Sequence, residues 1–336
     1  MTVRPTNPNE PLPELVRACS RLIIDEAQAL RAALSDFSDT PAPGSPHESD
    51  RQAWSHDTGS ATERRELLHV TQHQARLICI NAYDHLLTLG RALGSDGAMS
   101  LYAHASLSRV VCEAAVRFAW ILDSSISSEE RIMRGAVALL VSAEERLRGA
   151  LRVPTGHLDP HHMRLITDNS TAERDNVQTL IDKAGLIVVR SRDNKRIARL
   201  ELASPKASVP VRLDVTELMS ELLPDSPAWY NLSSGVTHSY YWALRGAVAS
   251  SPGESLVLAP DLLEIAAAAQ TAISASALVI ARCAAYYGRD PQLYVRQSGD
   301  RRKTLDPYMR QVAASRGAKT GRSHGGAAGK RGASNP

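Results

Sequence analysis

Phenylalanine is nearly missing from this chain. Two of its 336 residues are Phe, and aromatic residues make up only 4%. Yet 43% of the chain is hydrophobic. Alanine and leucine fill the apolar positions instead, which favours closely packed helices. Cysteine is also scarce. The four, Cys19, Cys79, Cys112 and Cys283, are far apart and form no CxxC pair. That excludes a disulfide scaffold and a zinc ribbon, and predicts small buried hydrophobes in a reducing cytoplasm. The first fifteen residues, "MTVRPTNPNEPLPEL", carry no apolar run of the kind a secretory signal needs. One stretch, 265–281, is apolar enough to suggest a membrane span. Gln270, Thr271, Ser274 and Ser276 interrupt it, so it reads as a core helix. There is no Walker loop, no GxGxxG after a strand and no HExxH. No cofactor, metal or membrane is therefore expected, and the chain is assigned to the cytoplasm.

Charge of either sign is present but unevenly placed. The net charge is +3. Residues 289–336 hold eleven Lys or Arg against three Asp, so the rest of the chain is acidic. A basic tail of this kind suits RNA or an acidic partner, or serves as a solubilising end.

Apolar periodicity predicts an all-α fold, a helical bundle with a small peripheral β-hairpin and disordered termini. Residues 1–13 read as a flexible N-terminus and 14–36 as an amphipathic N-terminal helix. Segment 37–59 is rich in Ser, Asp, Pro and Gly without a period, which reads as a flexible linker. The main helical domain spans 60–288. Ser60 and Glu63 have capping-box spacing at its start. Ser128 is a candidate cap for a later helix. Segment 152–226 reads as an insertion: a loop at "HLDPHH", a short helix stopped by Gly185, and two β-rich runs around Asp193-Asn194. Ser226 and Pro227 mark a helix start, and one continuous helix is expected over 228–249. Residues 289–336 read as a basic, largely disordered tail, with a short helical piece near 305–314.

Three polar constellations stand out. Arg109, Glu113 and Arg117 recur every four residues in a segment otherwise apolar on all sides, "RVVCEAAVRFAWIL". Charges on such a helix must be paired, because an isolated buried ion costs several kcal/mol. They form either a paired ladder fixing helix register or the wall of a ligand pocket. Asn231, Ser234, His238, Tyr241 and Arg245 share one side of the next constellation, with Gly235 mid-helix. His238 beside Ser and Asn has the chemistry of a general base or a phosphate ligand. Arg131 and Arg134 open a helix at i, i+3 and could add a cationic rim to the same cavity. His69 and His73 lie at i, i+4, with no third ligand of matching type. Asp84 is expected to pair with an arginine of the Arg109 helix.

These residues resemble a pattern found in uncharacterised all-helical proteins common in actinobacteria. The matching positions are Asp84-His85-Leu86, Arg109 with Glu113 and Trp120, Glu130-Arg131 with Arg134, and Tyr230 with Ser233; His238 falls one residue late. The resemblance spans about 63–288. More remotely the chain is similar to HEPN-type bundles, which include RNA-cleaving enzymes. That family carries an Arg and a later His on one helix with four to six residues between them. Here the equivalent positions are Asn231, Leu232 and Ser233, so the arginine is lacking. Beside these resemblances, the polar clusters themselves read as a binding or regulatory module in a defence or stress system, with Glu113, Arg131, Arg134, Asn231 and Ser234 as binding residues. The alternative that the resemblances imply is a metal-independent ribonuclease using His238 with Arg109 or Arg117. They also imply a homodimer, for which the Ala-rich helix offers a close-packing face.

Overall fold

The computed structural model describes residues 13–39, 41–53, 60–95, 100–153, 159–192, 197–202, 208–210, 214–247 and 259–324. Six helices come first: α1 (Glu14–Asp39), α2 (Pro46–Ala53), α3 (Ala61–Gly94), α4 (Ala103–Ile121), α5 (Ser128–Leu151) and α6 (Pro160–Lys183). A three-stranded antiparallel sheet follows, β1 (Leu186–Arg190), β2 (Ile197–Leu202) and β3 (Ser208–Pro210), in that spatial order. Then come α7 (Val215–Leu222), α8 (Pro227–Thr237), the one-turn α9 (Tyr241–Leu244), α10 (Leu262–Tyr287) and α11 (Gln292–His324). The fold is all-α with a small sheet at its periphery.

The main core lies where α1, α3, α4 and α10 pack together, with α11 closing over α1 and α10. Alanine makes this possible. Ala266, Ala269, Ala272 and Ala275 of α10 are fully buried and let backbones approach. Larger groups then fill the gaps between helices: Ile23, Leu30, Leu86, Leu89 and Ile121 are essentially solvent-free. Each such side chain stabilises the fold by about 1.5–3 kcal/mol relative to exposure. The ends of α10 are fixed by local chemistry. Asp261 accepts from the Leu263 and Glu264 amides, and Gly288 takes the left-handed conformation at φ 68°. Among the described residues α10 is the one helix long and apolar enough to cross a membrane; its buried faces are taken up by α1, α4 and α11.

A second core joins the first half of α3 to α5, α6 and the sheet. Leu67, Met133, Val137, Leu140 and Ile181 meet Leu186, Leu200 and Val209 there. Gly135 is required at this crossing: a Cβ on it would sit 1.8 Å from the Thr71 hydroxyl. In the sheet Leu186 opposes Leu202, Val188 opposes Leu200, and Leu200 opposes Val209. The hairpin thus gains a third strand. Its Asp193-Asn194 turn lies outside the described residues.

Several expectations require correction. The 37–59 linker contains α2, whose Asp50 is fully buried. The Ala42 amide donates to the Tyr287 carbonyl at 2.9 Å, so this segment caps the end of α10. The 289–336 tail begins with the long α11. That helix has almost no apolar period and is held by polar contacts: Ser298 and Arg301 each donate to the buried Glu26 at 2.8 Å, and Leu305 is its buried anchor. Within "HLDPHH", Asp159 caps α6 and Pro160 opens it, while His157 and Leu158 lie outside the described residues. Ser127, not Ser128, caps α5, and Ser60 makes no side-chain cap. The helix expected over 228–249 breaks after Thr237. Ser239 turns the chain at φ 56°, and Trp242 and Ala243 fold back onto Gly235, where a Cβ would sit 2.6 Å from the indole. That close approach is the reason for glycine mid-helix.

Candidate functional site

Arg109 and Glu113 pair at 2.7 Å, although Glu113 with Arg117 has the favoured Glu-before-Arg order. Arg117 does not join them and is exposed. Four residues on an α-helix turn about 400°, so each step drifts about 40° around the axis. Two steps carry Arg117 off the buried face. The third member of the cluster comes from α8 instead. The Tyr230 hydroxyl donates to Glu113 at 3.2 Å, and the Arg109 guanidinium lies 5.4 Å from the Tyr230 ring centre. Burial and the Glu113 charge push the Tyr230 phenol above its ordinary pKa, so it stays a donor.

His238 stands apart from this cluster. It is the exposed C-cap of α8, with only the Tyr240 ring against it at 5.9 Å. Eight residues separate it from Tyr230, about 12 Å along the helix. Helix α8 runs antiparallel to α4: Tyr230 meets Glu113, the Trp229 indole donates to Ser108 at 3.0 Å, and Val236 clusters with Ala105. His238 therefore lies toward the start of α4, and among the described residues it makes no contact with Arg109 or Arg117. Asn231 is exposed and Ser234 half-buried on the same helix. The structure brings neither to the Arg109–Glu113 pair. Asp84 is exposed and makes no pair with α4. Among the described residues no three His, Cys, Asp or Glu side chains converge as a metal site.

The most heavily built polar site lies elsewhere, around Arg131. Its side chain and that of Asp50 are 2% and 0% exposed, and they meet at 2.6 Å. Ser128 donates to the same Asp50 oxygen at 2.6 Å, and the Tyr286 hydroxyl donates to the other at 2.9 Å. Gln72 donates in turn to the Tyr286 oxygen at 2.8 Å. Arg131 also donates to the carbonyls of Asp123 and Ile126, at 2.7 and 3.0 Å. Burial, reinforced by the Asp50 carboxylate, pushes the Tyr286 phenol well above its usual range. Arg134, one turn on, is held by Glu130 at 2.7 Å and by the Trp120 carbonyl, with its guanidinium over the Trp120 ring. Arg131 and Arg134 therefore form no shared cationic rim with Arg117.

Two members of this network, Gln72 and Tyr286, line a cavity of about 290 Å³ between α1, α3, α4 and α10. Phe118, Ala75, Cys79 and Cys283 supply apolar lining, and Gln72 and Tyr286 connect it to Asp50. Arg76 and Ile80 are exposed and stand at its mouth. Burial pushes the Cys283 thiol up to about 12 and raises the Cys79 thiol too. Both stay protonated and serve as soft apolar wall, not nucleophiles. Sequence reasoning found Arg131 but missed Asp50, Tyr286 and Gln72. Asp50 carries no sequence signal, because it sits in a polar, aperiodic stretch. The Tyr286-Tyr287 pair closing an otherwise Ala-rich helix is the one visible hint.

The fold and site together define an all-α bundle with a buried ionic network beside a partly open cavity. Compared with protein-family models, with curated proteins and with solved structures, the chain matches none.

Proposed function

We propose that this protein is a non-catalytic ligand-binding module, and that the cavity between α1, α3, α4 and α10 is its site. The observation that carries this reading is the coupling of an apolar cavity to a fully buried, hydrogen-bonded charge network through Tyr286 and Gln72. Its volume of about 290 Å³ lies at the lower end of the range for small-molecule sites, about 300–1,000 Å³. A mostly apolar wall with few convergent polar groups is the usual composition of such sites. The occupant that fits is a small aromatic or aliphatic acid. Its apolar body would lie against Phe118, Ala75 and the two thiols, and its carboxylate would meet Arg76 at the mouth. Occupancy would tie α1, α3 and α10 together, which gives a regulatory module a means of reporting ligand. The resemblance to RNA-cleaving bundles draws no support from this geometry, since His238 makes no contact with Arg109 or Arg117 among the described residues.

The test is thermal unfolding with benzoate and indole-3-carboxylate. A rise in Tm that grows with ligand concentration is expected for the wild type. Ala75→Leu should plug the cavity and abolish the rise. An equal rise in both proteins, or none in either, would refute the reading.

A further inference from the structure

A second concavity, of about 350 Å³, lies between α8, α10 and α11. Its walls hold Ser226, Trp229, Leu232, Thr271, Ser274 and Arg302. Two features set it apart. The first is the start of α8. Ser226 is the N-cap residue, yet its side chain makes no capping hydrogen bond. Pro227 has no N–H, and the amides of Ala228 and Trp229 have no acceptor among the described residues. An 11-residue helix therefore presents its positive end uncapped to this space.

The second feature is a pair of buried hydroxyls. Ser226 is 4% exposed and Thr271 is 6% exposed, and both line the cavity. Neither hydroxyl makes a hydrogen bond among the described residues, although a helical Thr ordinarily bonds back to its own helix. Ser274, one turn on, does bond back, to the Gln270 carbonyl at 2.9 Å. Neither oxygen is sealed from solvent, so both are free to donate to a ligand seated in the concavity. Arg302 completes the set. Its Nε is buried without a partner, and its Nη2 lies 3.7 Å from Asp225, a loose contact with a carboxylate 79% exposed. The other carboxylate nearby, Asp306, is engaged by Gln270 at 3.1 Å.

We propose that this is an oxyanion site for a phosphorylated small molecule. The Ala228 and Trp229 amides, the Ser226 and Thr271 hydroxyls and the Arg302 guanidinium would donate to the phosphate oxygens. Trp229, Leu232 and Ala267 give an apolar shelf for the rest of an ester. The Asp225 side chain, already in solvent, swings away from Arg302 as the phosphate arrives. The site shares no residue with the cavity lined by Phe118 and Tyr286, and it stands independently of the function proposed above.

Trp229 supplies the readout. Its fluorescence is followed while the full chain is titrated with inorganic phosphate, phenyl phosphate and, as a control without oxyanion, phenol. Saturable binding of phenyl phosphate is expected, tighter than inorganic phosphate and weakened by added salt. Arg302→Ala should weaken it tenfold or more. Ser226→Ala and Thr271→Val should each weaken it about threefold to tenfold, the size of one hydrogen bond. Arg302→Lys should retain part of the affinity, and Ala75→Leu should change nothing here. Phenol binding as tightly as phenyl phosphate would overturn the proposal. So would an affinity unmoved by Arg302→Ala, or no saturation by either phosphate.

Discussion

Replacing Asp50 with Leu should be among the most damaging single changes available in this protein. The carboxylate is fully buried and accepts three hydrogen bonds, from Arg131 and Ser128 at 2.6 Å and from Tyr286 at 2.9 Å. Hydrogen bonds to a charged group each contribute about 1.5–3 kcal/mol. Their simple sum overstates the loss, because Arg131 keeps its bonds to the Asp123 and Ile126 carbonyls. Most of the damage comes from the guanidinium left buried without a counter-charge. Breaking such a pair from one side costs about 3–5 kcal/mol. For a domain stable by about 5–15 kcal/mol, that is a large share of the whole. Replacing both partners should be gentler, since Asp50→Leu with Arg131→Met removes both charges at once. Urea unfolding followed by circular dichroism gives the four corners of the cycle. The double variant should be more stable than the sum of the single losses by at least about 2 kcal/mol. Additive losses, or a cost below about 1 kcal/mol for Asp50→Leu, would show that this pair does not pin α2.

Two further perturbations test the packing. His104 is 2% exposed, stacks on Trp229 and has no hydrogen-bond partner at either ring nitrogen. Burial lowers its pKa to about 4 from an ordinary 6.5. The unfolded chain therefore binds the extra proton between those values, so stability rises with pH across that window and is lost as pH falls through it, by up to about 1.4 kcal/mol per pH unit. His104→Phe should raise stability at pH 7 by about 1 kcal/mol and flatten the slope between pH 6.5 and 4; an unchanged slope in urea titrations at several pH values would count against it. Gly135→Ala should cost about 1–3 kcal/mol, because the new methyl meets the Thr71 hydroxyl. Combining it with Thr71→Ala should recover only part of that loss, because the Thr71 Cβ would still lie 2.6 Å from the new methyl; a Tm that does not recover at all would show the clash lies elsewhere.

Helix identity was legible in the chain because it depends on neighbours in sequence. The stripe of α1, the Asp261 and Gly288 ends of α10, and the Pro227 start of α8 are all local chemistry. The Arg109–Glu113 pair was only half legible: the i, i+4 spacing put both residues on one helix, but the favoured Glu-before-Arg order pointed to Arg117, which drifts off the buried face. Segments whose order depends on distant partners were not legible. Helix α2 has no apolar period and is ordered through Asp50, which meets Arg131 81 positions away and Tyr286 236 positions away. Helix α11 reads as a polar tail until Glu26, 272 residues earlier, accepts from Ser298. The break after Thr237 depends on Trp242 folding back onto Gly235, which a period of 3.6 residues cannot anticipate. The amino-acid sequence by itself determined the helices that carry an apolar stripe and local end signals, because hydrogen-bond spacing and side-chain periodicity act over a few residues. Only the tertiary structure decided which charges met and where cavities remained, because those depend on the few ångströms between chain segments far apart in sequence.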